Sequence, residues 1–305
     1  PIQYKPDLGY TKEIRSIINQ TLNYEFNRIP SVINGKKYYD NLTKEQISPI
    51  TINKKVCFYN DTSQYLLTKY LLEFKDYKKS LMAFLQKDRI NVFNKAADLL
   101  CNKYREQMLA YTILGQGKSL YEAEIDAICE LGDFLNFNAD YYNTILQKQP
   151  ISTEGISNQS LYNPLNGFVA AITPFNFTAI GGNLASAPTL FGNSVIWKPS
   201  DSSILSNYLF YQILEEAGMP PEAIAFTPSC PERFSNIILS NENLGGLLFT
   251  GSSQVFSDIY KNVGKNIDNY NNYPRLVGET GGKNFHFIHY DLDQKSLQFS
   301  AKKTI

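Results

Sequence analysis

With 305 residues, 43% of them hydrophobic and 19% charged, the chain is long enough to bury a substantial core or to divide into two domains. Its 29 basic and 29 acidic residues cancel, which removes the electrostatic footprint of a nucleic-acid binder, and no apolar run reaches the length of a membrane span. Cys57, Cys101, Cys129 and Cys230 are scattered, without metal-type spacing or disulfide density, which fits a reducing compartment and buried or half-buried thiols.

The sequence begins Pro1-Ile2 with no Arg-rich, acid-poor leader ahead of the body; either a leader has been removed or an N-terminal stretch is missing. Residues 1–60 are polar and rich in Asn, Lys and Tyr, and Asn34-Gly35 within 31–38 favours a tight hairpin turn. From Asp88, the apolar positions Ile90, Phe93, Ala97, Leu100, Tyr104 and Met108 recur at three- and four-residue steps. That spacing predicts a helix burying one face, interrupted at Gly115-Gln116-Gly117. A second helix is expected over 119–146, with Leu120, Ala123, Ala127, Leu131, Phe134 and Leu135 as its apolar stripe.

After Pro150, short apolar runs alternate with amphipathic segments. Strands are expected at 167–172, 195–197, 224–226, 247–249 and 276–277, with helices over 178–191, 203–217, 232–239 and 253–268. Gly218 followed by Pro220 stops one of these helices. Repeated strand–helix–strand units imply an α/β fold with a parallel sheet covered on both faces. Such a sheet binds ligands at the carboxyl ends of its strands, where the chemically distinctive residues fall.

Lys198 follows one strand and reads either as a solvated lysine before a proline or as a ligand group. Gly251-Ser252 follows another strand and opens a helix, whose unpaired N–H groups and positive dipole suit a pyrophosphate. A plain helix cap is the alternative, because the G-x-G-x-x-G fingerprint is absent from that turn. Asn176 follows the first of these strands, with its amide satisfied by loop backbone or free for a ligand. Glu279 lies among Gly278, Gly281 and Gly282, a setting for a solvated turn carboxylate or for a freely placed base. His286 and His289 lack further ligands at metal spacing and are expected to flank a buried strand.

In order along the chain, Thr173-Pro174-Phe175-Asn176-Phe177, Lys198-Pro199-Ser200-Asp201, Phe249-Thr250-Gly251-Ser252 and Gly278-Glu279-Thr280-Gly281-Gly282-Lys283-Asn284 resemble the aldehyde dehydrogenase superfamily. The full runs at 167–184 and 281–287, with Gly115-Gln116-Gly117-Lys118, narrow the resemblance to the delta-1-pyrroline-5-carboxylate dehydrogenase family, from about Asn27 to His289.

The resemblance implies a Rossmann-like NAD-binding domain over 167–279. The hairpin and helices of 1–150 would pack on it, 151–166 would form a bridging or oligomerisation strand, and 280–305 would begin a catalytic domain. It also implies NAD-dependent oxidation of L-glutamate gamma-semialdehyde to L-glutamate in proline breakdown, in the mitochondrial matrix, by a homo-oligomer. Lys198 would bind the adenosine ribose and Asp201 would sit near its 2′-hydroxyl, favouring NAD over NADP by repelling a 2′-phosphate. Thr173, Gly251, Ser252, Ser253, Gln254 and Val255 complete the implied cofactor set. Asn176 would donate to the oxyanion formed when a thiolate attacks the aldehyde. Glu279 would be the base for hydrolysis of the thioacyl intermediate. Phe177 would line the substrate tunnel, and Glu130, bordered by apolar residues, would bind substrate.

The family's nucleophilic cysteine comes shortly after the Glu279 motif, whereas the last cysteine here is Cys230, and residues 298–305 depart from the family pattern. These 305 residues are therefore expected to oxidise no aldehyde unaided, as a fragment of an enzyme. A noncatalytic NAD-binding or interaction protein, or an unfolded remnant, are the other readings.

Overall fold

The structure, a computed structural model, describes residues 9–23, 28–51, 54–282 and 284–304. The first residues, Asn27 and Lys283 lie outside them. Helix α1 (Gly9–Asn23) precedes a hairpin of β1 (Ser31–Ile33) and β2 (Lys36–Tyr38). Asn34 and Gly35 both take left-handed φ, 51° and 67°, as a two-residue turn that matches the twist of its strands requires. A second hairpin, β3 (Thr43–Ile47) and β4 (Lys55–Asn60), leads into α2 (Gln64–Ala83), whose first turn is capped by the Ser63 hydroxyl. Helix α1, this second hairpin and α2 were not expected from the sequence.

The helix read from Asp88 is two helices, α3 (Gln86–Cys101) and α4 (Arg105–Gln116), broken where the Tyr104 N–H bonds back to the Leu99 carbonyl. The helix expected over 119–146 forms with its predicted stripe, but as three pieces. Helix α5 (Leu120–Ala123) opens with a Ser119–Glu122 capping box, a π-helical turn follows over Glu124–Glu130, and α6 (Leu131–Gln147) completes it. Residues 151–166, expected to form a bridging strand, contribute none to either sheet; they run exposed, with one bridge, Thr153 to Ile156.

The alternating part is β5 (Phe168–Ile172), α7 (Thr178–Ser186), β6 (Val195–Lys198), α8 (Ile204–Ala217), β7 (Ile224–Phe226), α9 (Pro231–Phe234), β8 (Leu244–Gly251), α10 (Ser253–Lys265) and β9 (Arg275–Thr280). Helix α9 continues as a π turn over Ser235–Leu239. The sheet order is β2-β1-β7-β6-β5-β8-β9. Its last five strands are parallel, as expected. The N-terminal hairpin then joins the edge antiparallel, Val32 opposite Phe226, so the sheet is mixed and 1–150 is woven into it.

The two faces of the sheet alternate along each strand. Val169, Ala171, Val195, Trp197 and Phe226 face a core shared with α3, α4, α6 and α8. Phe168, Ala170, Ile196, Leu247 and Phe249 face a second core closed by α2, the 235–239 turn and α10. Cover fails at β9, where Val277 and Glu279 are exposed. Beyond it, Phe285 and Phe287 are exposed in irregular backbone before α11 (Gln294–Thr304), so His286 and His289 flank no buried strand.

Candidate active site and nucleotide cleft

Because β6, β5, β8 and β9 are adjacent and parallel, their carboxyl ends share one edge. Lys198 lies opposite Ile172, Ile172 opposite Phe249, and Phe249 opposite Gly278, with Thr250 opposite Glu279 in the next row. The loop carrying Asn176 leaves β5 in the middle of this row. At ~4.8 Å between strands, Lys198 and Glu279 stand roughly 14 Å apart across the sheet. Glu279, read as part of a glycine turn, is extended strand. Gly278 beside it answers to packing, since a Cβ there would meet the Phe256 ring at 2.3 Å.

A cleft of about 730 Å³ opens above this edge, between the 231–239 helix and α10, lined by Ile172, Lys198, Pro231, Ser235, Val255 and Asn262 among others. Lys198 is 7% exposed and forms no ion pair among the described residues. Burial pushes its amine below the usual lysine range, against the pull of Asp201. A buried cation at a largely apolar cleft fits a ligand that brings its own hydroxyl or carboxylate acceptors.

Ser252 caps α10, its hydroxyl accepting from the Val255 N–H at 3.2 Å. The N–H groups of Ser253 and Gln254 remain in the first turn for an anion. The Gln254 amide donates to Asp258. Thr173 is buried, and its hydroxyl accepts from the Trp197 indole at 3.0 Å, so its side chain serves the sheet. Asp201 is outside the cleft lining. Its carboxylate is 3.9 Å from Lys44, and its charge adds to burial in pushing the Tyr59 phenol up.

Asn176 is exposed and Phe177 half-buried. Phe177 holds the cap position of α7 with no side-chain cap of its own. The cap comes from elsewhere: Asp126, on the π turn, accepts from Thr178 N at 3.0 Å and Ala179 N at 2.9 Å. Lys118 reaches the same carboxylate at 2.6 Å and lies 4.0 Å over the Phe177 ring. Glu130, one turn on from Asp126, has its carboxyl pushed up by burial first, then by Asp126, with Lys118 opposing and Glu279 adding to the shift. Lys118 thus links the Phe177 ring to Glu130, whose carboxyl is also acted on by Glu279.

Sequence reading missed Asp126 and the side-chain role of Lys118. The one signal was a pair of acids, Glu124 and Asp126, beside an apolar stripe. Both are buried, Glu124 against Arg105. The cysteines are free, Cys57 buried and the others half-buried, and burial pushes the Cys57 thiol up. Among the described residues no group of three His, Cys, Asp or Glu could hold a metal, and no helix is long and apolar enough to cross a membrane.

A parallel sheet presenting Asn176, Lys198, Ser252 and Glu279 from four strand ends defines the class. The chain belongs to the aldehyde dehydrogenase family, whose model matches residues 40–303. More particularly, it is similar to delta-1-pyrroline-5-carboxylate dehydrogenases. The mitochondrial one of Homo sapiens is 44% identical over 269 residues, 88% of this chain and 48% of the relative; that of Dictyostelium discoideum is 45% identical over 272 residues, 88% and 49%. The Mycobacterium tuberculosis enzyme solved with NAD superposes with a TM-score of 0.88 at 40% identity, covering 92% of this chain and 52% of the other. The chain spans about half the length of these relatives.

Proposed function

We propose that this chain supplies the nucleotide cleft, the oxyanion donor and the hydrolytic base of an NAD-dependent enzyme oxidising L-glutamate gamma-semialdehyde to L-glutamate in proline breakdown. The observation that carries the reading is the registered row of strand ends from Lys198 through the Asn176 loop to Glu279. The relatives' names support the substrate and the NAD-bound neighbour supports the cofactor. The mitochondrial names support a matrix location. A homo-oligomeric state rests on the resemblance alone.

Lys198 and the first-turn N–H groups of Ser253 and Gln254 would hold NAD, with Val255 against its base; Asp201, outside the lining but acting by charge on Lys198, would disfavour a 2′-phosphate. Bound there, NAD would supply the acceptor for the hydride that leaves the aldehyde carbon. Asn176 donates its amide N–H to the oxygen that gains charge as a thiolate adds to the aldehyde, a contribution of about 3 kcal/mol for one preorganised donor. Glu279 takes a proton from the water that releases the acyl group as carboxylate. Glu130 binds substrate beside Phe177.

Cys57, Cys101, Cys129 and Cys230 all precede the Glu279 motif, so the 305 residues by themselves should produce no NADH from the semialdehyde. In the enzyme that carries this sequence, Glu279→Gln should keep an early NADH burst and then stall, whereas Asn176→Ala should slow the burst itself about a hundredfold or more. Stopped-flow absorbance separates the two. Wild-type turnover in Glu279→Gln across the pH range would remove Glu279 from the chemistry.

A second reading is a noncatalytic NAD-binding or interaction protein. It predicts NAD binding with no turnover in any form of the protein.

A further inference from the structure

We propose that Asp126 is the positioning residue for the Asn176-Phe177 loop, and that Lys118 neutralises it so that the loop can face a developing negative charge. The inference deepens the oxyanion reading above and rests on it for the catalytic consequence. Most helices satisfy their first N–H groups with a Ser, Thr, Asp or Asn at the cap position. Helix α7 does not, because its cap position is Phe177 and the residue before it is Asn176. The missing acceptor is brought in by a side chain 52 residues earlier in sequence. Asp126 is 1% exposed. One carboxylate oxygen takes the Ala179 N–H, and the other takes Thr178 N–H and the Lys118 ammonium.

Two consequences follow physically. With the cap supplied from the π turn, positions 176 and 177 are free to carry an amide and an aromatic ring, yet α7 starts at a fixed point and angle. The backbone two residues before that point inherits the restraint. A carboxylate at a helix start also cancels the positive field there and would repel an oxyanion nearby. Lys118, 14% exposed along its side chain, sits on the same oxygen and over the Phe177 ring, so the group added next to the loop has no net charge. Of the carboxylates on the same turn, Glu130 is acted on by Asp126, Lys118 and Glu279, and Glu124 is paired with Arg105. Thr178 N and Ala179 N go to Asp126.

The test uses the enzyme that carries this sequence, with Asp126→Ala, Asp126→Asn, Lys118→Met, Lys118→Arg and Asn176→Ala. Asp126→Asn is isosteric and keeps one acceptor, which guards against a folding failure of the alanine variant. Amide hydrogen exchange should be at least tenfold faster at Thr178 and Ala179 in both Asp126 variants, with the rest of α7 still protected. The NADH burst should fall at least tenfold while KM for NAD stays within twofold. Lys118→Met should keep the amide protection and still slow the burst, and Lys118→Arg should restore it. Unchanged exchange at Thr178 and Ala179 in an Asp126 variant overturns the proposal whatever happens to turnover. Altered exchange with a wild-type burst also overturns it, provided Asn176→Ala slows the burst. A wild-type burst in Asn176→Ala sinks the oxyanion reading instead, and amide exchange alone then decides whether Asp126 fixes the loop.

Discussion

Glu130 shows how a candidate site residue works against the fold that holds it. Its carboxyl is pushed up chiefly by burial, so the folded protein holds its proton to higher pH than the unfolded chain does. Stability from this group is therefore full below the ordinary carboxylate range and is lost as pH rises through the raised value of the folded state. Glu130→Gln removes the ionisable group. We expect the variant to melt higher than wild type at pH 8 and not at pH 4, with a raised KM for the semialdehyde. Equal melting differences at both pH values would mean that the carboxylate is solvated and bystanding. Asn176, Lys198 and Glu279 stand out in the sequence as candidates because each sits in a short distinctive run. Asp126 does not, because its partners are backbone N–H groups of Thr178 and Ala179 and no local pattern announces them. The glycines around Glu279 misled in a physical way: Gly278 makes room for the Phe256 ring, whereas among these glycines left-handed backbone is needed at Gly281, with φ 70°.

Elements were legible where their cause is local. Asn34-Gly35 wrote the first hairpin, since both residues tolerate left-handed φ, and that hairpin then became the sheet's antiparallel edge. A side chain at Gly35 would also press within 2.8 Å of Pro221. Gly35→Ala is accordingly expected to lower stability by about 1–2 kcal/mol, read as a lower urea midpoint with an unchanged slope; an unshifted midpoint would show that the turn is slack. Elements set by distant contacts were not legible. The apolar period runs on through Tyr104 to Met108, so nothing local marks the break between α3 and α4. The π turn at Glu124–Glu130 leaves the stripe of Ala123, Ala127 and Leu131 intact while turning Glu124 and Asp126 inward. Helix α1 packs against α4, and the β3–β4 hairpin against α1 and α8.

At the scale of the molecule, one mixed sheet fixes every candidate group through the ends of four neighbouring strands, and the two cores clamp those strands from opposite faces. The parallel α/β class was readable from the alternation after Pro150. The joining of the N-terminal hairpin was not, because pairing of Val32 with Phe226 spans most of the chain. Volume does not single out the nucleotide cleft, since a second cavity of about 730 Å³ lies under α1, lined by Glu13, Gln20, Lys103, Tyr111 and Tyr208 among others. Chemistry favours the strand-end cleft, which holds the buried, unpaired Lys198; Lys103 in the other cavity is bound to Glu216.

Calorimetric titration of NAD into this chain, compared with Lys198→Ala and Lys103→Ala, tests that choice most directly. The account predicts that wild type binds NAD more tightly than NADP, that Lys198→Ala weakens NAD at least tenfold, and that Lys103→Ala stays within twofold of wild type. An NAD affinity unchanged in Lys198→Ala, or lost in Lys103→Ala, would contradict it.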